Sequence, residues 1–180
     1  MKLLLSRSFT FALLAFFISC TGSTQKLATE STGRESIFPG WYNSTGFSSD
    51  SLSFSGFGVA IGADSTDAIE RAELEAENQL GFQLSKLAED IRVQLERENV
   101  TAASNVDFIL LLRNAISSLK SFSETTNQYT LSPTNNFRAI AEVSITRDKA
   151  HQLFENAFKG HPRYWAAFSQ SNQYQNTILK

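Results

Sequence analysis

From Asp64 to Glu98 the chain carries no proline, and the apolar residues Ile69, Ala72, Ala76, Leu80, Leu84, Leu87, Ile91 and Leu95 recur at steps of three and four. That spacing puts them on one side of a single long helix, which other elements must then cover. Asp64 or Ser65 is placed to cap it, and Asp67 and Glu70 suit the positive end of its dipole. Small Ala72 and Ala76 near its start permit close approach to a sheet, while the larger residues later fill a wider gap. Gly81 is its weak point, costing up to about 1 kcal/mol against alanine. Glu70, Glu73 and Glu77 share a face without any histidine at ligand spacing, and read as solvated.

The neighbours of this helix are legible from pattern. Leu52 to Ile61, "LSFSGFGVAI", begins as an alternation of apolar and small polar residues and then becomes continuously apolar, as a strand entering a buried sheet does. Its glycines 56, 58 and 62 follow GxGxxxG and lie within the strand, whereas a dinucleotide fingerprint needs GxGxxG after it. They point to a bulge or to close approach of a helix. Ser104 is placed to cap a second helix through "VDFILLLRNAISSLK", where Val106, Ile109, Leu110, Leu112, Ile116 and Leu119 give a broad apolar side and deeper burial than the first helix. Ser121–Thr130 and Phe137–Thr146 flank "LSPTNN" as a hairpin. In its second strand Phe137, Ala139, Ala141, Val143 and Ile145 alternate with Arg138, Glu142, Ser144 and Thr146, one face core and the other largely wet. Asp148 then caps a helix to Phe158, stopped by Gly160.

The expected fold is therefore α/β of the α+β kind. It has two layers: a small three-stranded mixed or antiparallel sheet, covered on one face by a long helix and shorter helices, in the order β-α-α-β-β-α. The domain occupies 37–158, and 159–180 is a C-terminal extension rich in aromatic and amide residues. With 15 Phe against one Met, its core is built of rigid rings.

The N-terminus carries a different signal. Lys2 and Arg7 precede an apolar run from Phe9 to Ile18, too short to span a bilayer but the size of a signal-peptide core, so 1–19 reads as an export signal. The only cysteine, Cys20, follows directly. An exported chain with one cysteine has no internal disulfide to form. Phe17, Ile18, Ser19 and Cys20 resemble a bacterial lipobox, although leucine is the commoner residue at the place of Phe17. The resemblance implies cleavage between Ser19 and Cys20, a thioether-linked diacylglycerol on the thiol and an acylated amine. The other reading is a nonlipidated signal with an incidental cysteine. Residues 20–36 are rich in Ser, Thr and Gly and read as a flexible tether. Loss of 1–19 removes two basic residues and no acidic one, making the chain more acidic than its net −2 and arguing against nucleic acid as a partner. Thr21 in place of aspartate favours the outer membrane.

"PGWY", the segment "GFGVAIGADSTDAIERAELEAENQL" with recurring Ala68, Ala72 and Ala76, and "FRAIAEVSI" carry a further resemblance. In this order they are similar to the LPP-twenty family of small bacterial lipoproteins and to the related N-terminal domain of flagellar assembly protein T. The likeness covers roughly 38–146. It implies a compact α/β domain displayed at the envelope, with no agreed catalytic residues to carry over.

Function follows as an expectation: a non-enzymatic envelope lipoprotein acting in structure, assembly or binding, with an envelope small-ligand binder or hydrolase as alternatives. No cofactor or metal is expected. The partners are the membrane, through Cys20, and an envelope protein not specified by the sequence, with homo-oligomers left open. Trp41, Tyr42, Tyr164 and Trp165, amphipathic aromatics at the two ends of the domain, are the expected interaction surface. Trp41 has a second reading, packed on the domain edge. His151 on a helix and His161 before Pro162 are the only histidines, and neither HExxH, a nucleophile elbow nor a P-loop is present.

Overall fold

A computed structural model describes residues 37–132 and 136–180. The signal segment, the Ser19–Cys20 cleavage site, the tether and the Pro133–Asn135 turn lie outside them. In chain order the elements are β1 (Phe47–Ser49), β2 (Ser53–Gly62), α1 (Ser65–Arg97), α2 (Val106–Ser117), β3 (Glu124–Leu131), β4 (Phe137–Thr146), α3 (Arg147–Ala157), α4 (Pro162–Ser169) and α5 (Asn172–Thr177). The mixed α/β class is as expected. The sheet has four strands, wholly antiparallel, in the order β1-β2-β4-β3.

The extra strand, β1, comes from a tight turn. Asp50 Oδ1 accepts from the backbone N–H groups of Leu52 and Ser53, and Asp50 N donates to the Ser53 carbonyl. Those backbone donors, Leu52 first, hold the Asp50 carboxyl below its ordinary range. The turn folds Phe47–Ser49 back onto residues 54–56 of β2.

Gly56, Gly58 and Gly62 are the reason α1 lies so close to the sheet. A Cβ on Gly56 would stand 2.2 Å from the Ala76 carbonyl oxygen, on Gly58 2.1 Å from that of Ala72, and on Gly62 2.4 Å from the Ala68 nitrogen. Three glycines of a strand thus meet three alanines of a helix, backbone against backbone. The stripe on α1 accordingly sits one residue from the expected line at two places. Ala68 and Ala88 are buried where Ile69 and Leu87 were expected, and those larger residues flank the core half-buried. Asp64 caps α1, its side chain accepting from Asp67 N.

A helix of 33 residues is about 50 Å long, whereas the ten residues of β2 span about 33 Å. Because Gly62 to Gly56 already match Ala68 to Leu80, the C-terminal part of α1 runs past the sheet. Its buried Ala88, Ile91 and Leu95 therefore need other cover, and α1 also packs on α2, α4 and α5. The second helix is less buried than expected. Phe108, Leu112 and Ala115 face the core, but Val106 is 68% and Leu110 47% exposed. One turn of Leu-rich sequence cannot all face inward when a single side is covered. The cap of α2 is Asn105 and not Ser104, since Asn105 Oδ1 accepts from Asp107 N. Likewise Thr146, not Asp148, caps α3 by accepting from Lys149 N. Gly160, at φ +94°, ends that stretch as expected.

On the far side of the sheet, Arg138, Glu142 and Ser144 are half-buried, and Ile140 is only 1% exposed beside Val59 and Tyr129. A hydroxyl row crosses this face: Ser55 and Ser144 share a 2.7 Å hydrogen bond, and Thr126 lies 3.1 Å from Ser144.

Residues 159–180 belong to the same core as the rest, so the division expected after 158 falls inside one compact unit. Phe168, Tyr174 and Ile178 are all wholly buried in the cluster that contains Phe108, Phe154 and Phe158.

Arg147 stitches the ends together. Its Nε donates to the Asp50 carbonyl at 2.6 Å, Nη1 to the Thr177 carbonyl at 2.7 Å and Nη2 to Ser49 Oγ at 2.9 Å, with the guanidinium 4.5 Å over the Phe54 ring. Arg147→Ala is expected to destabilise by about 2 kcal/mol, and Arg147→Lys should restore little because an ammonium lacks the planar fork. Urea midpoints of the three proteins measure this; a lysine variant as stable as wild type would mean that charge alone matters.

Candidate functional site

The expected interaction residues separate into two places, with different roles. Trp41 and Tyr42 end a turn closed by the Tyr42 N–H on the Pro39 carbonyl. Tyr42 stacks on Phe38 at 4.7 Å and meets Phe57 of β2 edge-on at 6.2 Å. Both Trp41 and Tyr42 are half-buried, and through Phe57 Tyr42 sits at the β2 edge.

Tyr164 and Trp165, by contrast, serve the core. Tyr164 meets Phe108 at 5.8 Å, and Trp165 lies against Phe158, Tyr174 and His151. Both are half-buried, with one ring edge in the cluster. Pro162 starts the helix that seats them on the rim of the cluster, where Tyr164 also lines one open cleft and Trp165 another.

His151 is half-buried, its Nδ1 2.9 Å from the Tyr174 hydroxyl. Burial pushes the Tyr174 phenol well above its ordinary range, and the nearby Glu155 charge adds to this. A phenol held neutral and wholly buried is a structural donor or acceptor; it offers no accessible nucleophile. His161 is exposed and stacks on Tyr164. Among the described residues, no three of His, Cys, Asp and Glu converge into a group able to hold a metal.

Two of the open clefts lie along α1. One, of about 600 Å³, lies between α1 and α2 and includes Glu89, Arg92, Leu112 and Arg113. Its central cation is already engaged: Arg92 bonds Glu89 and Glu96, each at 2.6 Å, and donates to the Ala103 carbonyl at 3.2 Å. The hydrogen bond to Glu89 raises the guanidinium and lowers the Glu89 carboxyl. Arg92 therefore fastens α1 to the turn before α2 and is not held out toward a ligand.

The other cleft, of about 440 Å³, wraps the outer edge of β2. Phe57, Val59 and Ala60 form its floor, Arg71, Glu75 and Gln79 of α1 one wall, and Tyr42 with Ser44–Gly46 the other end. Arg71 is held by Asp67 at 2.6 Å and Gln79 donates to Glu75 at 2.8 Å, so the α1 wall is ordered by its own pairs. Arg71 also supplies the leading cause of a lowered Asp67 carboxyl. Sequence reasoning had Tyr42 but not this cleft, which exists because β1 is three residues long beside a ten-residue β2. The turn signal Asp50–Ser51 could have revealed it.

Fold and cleft together define a two-layer α/β domain with one sheet edge left open beside a helix wall. No protein-family model, curated protein or solved structure matches the chain. Among the described residues no helix is long and apolar enough to cross a membrane.

Proposed function

We propose that this is a bacterial cell-envelope lipoprotein, held by an acylated Cys20 and acting through binding or assembly and not through catalysis. The observation that carries the reading is the position of the only cysteine, immediately after a short apolar run and behind small Ser19. Two or three acyl chains anchor stably, since each buried methylene contributes about 0.8 kcal/mol. The resemblance to LPP-twenty lipoproteins, through Trp41, Tyr42 and the Ala68–Ala72–Ala76 helix, supports the same reading. Thr21 favours the outer membrane. A binding role is supported by the open β2 edge, a surface suited to main-chain recognition.

Cys20→Ser is the test. Wild type is expected to incorporate labelled palmitate and to fractionate with membranes, whereas the variant takes up no label and accumulates as unprocessed or soluble chain. A wild type without label, or a variant equally membrane-bound, would end the lipoprotein reading.

A further inference from the structure

Charge is distributed unevenly along this chain. It holds 16 Lys and Arg against 18 Asp and Glu, yet from Asn156 to Lys180 there is no acidic residue. The cations Lys159 and Arg163 fall at the turn between α3 and α4, where Lys159, Gly160, His161, Pro162 and Arg163 are all exposed. The three ion pairs among the described residues, Arg71–Asp67, Arg92–Glu89 and Arg92–Glu96, all lie on α1, so neither cation of the turn is paired with a carboxylate.

The turn stands clear of the domain and is rigid. Gly160 takes φ +94°, with open space where a side chain would point. His161 N donates to the Phe158 carbonyl at 2.8 Å, and the Tyr164 and Trp165 N–H groups both donate to the His161 carbonyl at 3.0 Å. The rings that follow are fixed as well. His161 lies flat on Tyr164 at 5.6 Å, and Trp165 is held by His151, Tyr174 and Phe158 at 5.5, 5.8 and 5.9 Å. Two open clefts flank the turn and share Gly160 and Pro162. The first, of about 380 Å³, sets Arg163 beside His161 and Tyr164; the second, of about 430 Å³, sets Lys159 beside Trp165, with Glu155 the one acid lining either.

We propose that this turn, Lys159–Trp165, docks on an anionic phospholipid surface, with Lys159 and Arg163 among the headgroup phosphates and Tyr164 and Trp165 at headgroup depth behind them. Unpaired cations flanked by rings of mixed polarity suit a bilayer interface, where Tyr and Trp settle between water and acyl chains and basic side chains meet anionic lipid. A protein partner is a poorer match. An ordinary interface buries about 800 Å² on each side around an apolar centre, and the five exposed residues of the turn include no large apolar side chain. Nucleic acid asks for a stripe of cations, which two do not make. A rigid turn also has little freedom to lose on contact. With the acylated Cys20 proposed above, the contact becomes intramolecular and a weak attraction suffices; the headgroup chemistry itself is independent of that anchor.

The test uses the full chain as the cell processes it, carrying Trp41→Phe so that Trp165 is its one tryptophan. It is mixed with a large excess of vesicles made of phosphatidylcholine alone, or of equal parts phosphatidylcholine and phosphatidylglycerol, each with lipid brominated near the headgroup. Trp165 emission is expected to shift to the blue and to be quenched in the anionic vesicles and not in the neutral ones, and raised salt should reverse the effect. Each cation near an anionic surface adds about fivefold to binding, so Lys159→Gln with Arg163→Gln should lower the docked-to-undocked ratio of the turn roughly 25-fold. Far-ultraviolet circular dichroism should be unchanged in that variant. Palmitate label is followed on the same preparations, so a missing anchor is recorded separately from an unresponsive turn. Trp165 quenched equally in both kinds of vesicle, or in neither, would overturn the proposal, as would a double glutamine variant quenched as fully as its parent. So would the reverse pattern, a Trp165→Phe chain whose Trp41 is quenched while Trp165 is not, which would turn the other aromatic pair to the lipid.

Discussion

Gly58→Val is expected to unfold the domain or leave it without a cooperative transition. The first atom of the new side chain would stand 2.1 Å from the Ala72 carbonyl oxygen and 2.5 Å from the Ala76 nitrogen. Both are helix backbone, so no rotamer change relieves the overlap, and α1 must lift from the sheet. Lifting it exposes Ala68, Ala72, Ala76 and Leu80 together, because they lie on one stripe of one rigid element. Overpacking ordinarily costs 1 to 3 kcal/mol when side chains can move, so here at least about 3 kcal/mol is expected. Against a total of roughly 5 to 15 kcal/mol for a domain, that is a large fraction. Gly81→Ala is the control, since its Cβ meets only the Leu119 Cδ2 at 3.3 Å. It should be neutral or stabilise by up to about 1 kcal/mol through helix propensity. Urea unfolding followed by circular dichroism reads both. A Gly58→Val midpoint close to wild type would mean that α1 does not rest on the strand as described.

The contrast between these two glycines shows what the sequence makes legible. The 3.6-residue period of α1 and the two-residue period of β4 each run long enough to declare element, face and partner. Gly58 and Ala72 could be matched because small residues on both sides of an interface have one common explanation. β1 was not readable: Phe-Ser-Ser is too short for alternation to register, and only Asp50 betrayed the turn. Burial along α2 was overestimated because leucine content fixes composition, not the side that neighbours cover. The β2 cleft escaped for a related reason, being the difference in length between two strands and a property of neither alone. Tyr164 and Trp165 sit between the two cases, since an amphipathic ring suits a core rim: each packs on the core and also lines an open cleft.

Ending the chain at Phe158 is expected to abolish folding of the helical end and, with it, the cooperative melt of the domain. Phe168 packs at 5.4 Å from Phe154, 5.5 Å from Phe158 and 6.0 Å from Phe108, and at 4.9 Å from Tyr174. Truncation removes Phe168, Tyr174 and Ile178, all wholly buried, each contributing about 1.5 to 3 kcal/mol by burial. It also strips the cover from three phenylalanines that stay behind, takes the Tyr174 hydroxyl from His151 and removes the Thr177 carbonyl from Arg147. The combined loss is comparable with the whole stability of a domain of this size. Phe168→Ala alone should cost about 3 to 5 kcal/mol and leave a weakened but complete fold. Thermal melts by near- and far-ultraviolet circular dichroism distinguish the cases: the truncated chain should lose the near-ultraviolet signal of its packed rings and melt without a sigmoid. A truncated chain melting sharply within a few degrees of wild type would make residues 159–180 an appendage after all, and would return Tyr164 and Trp165 to the surface role their chemistry first suggested.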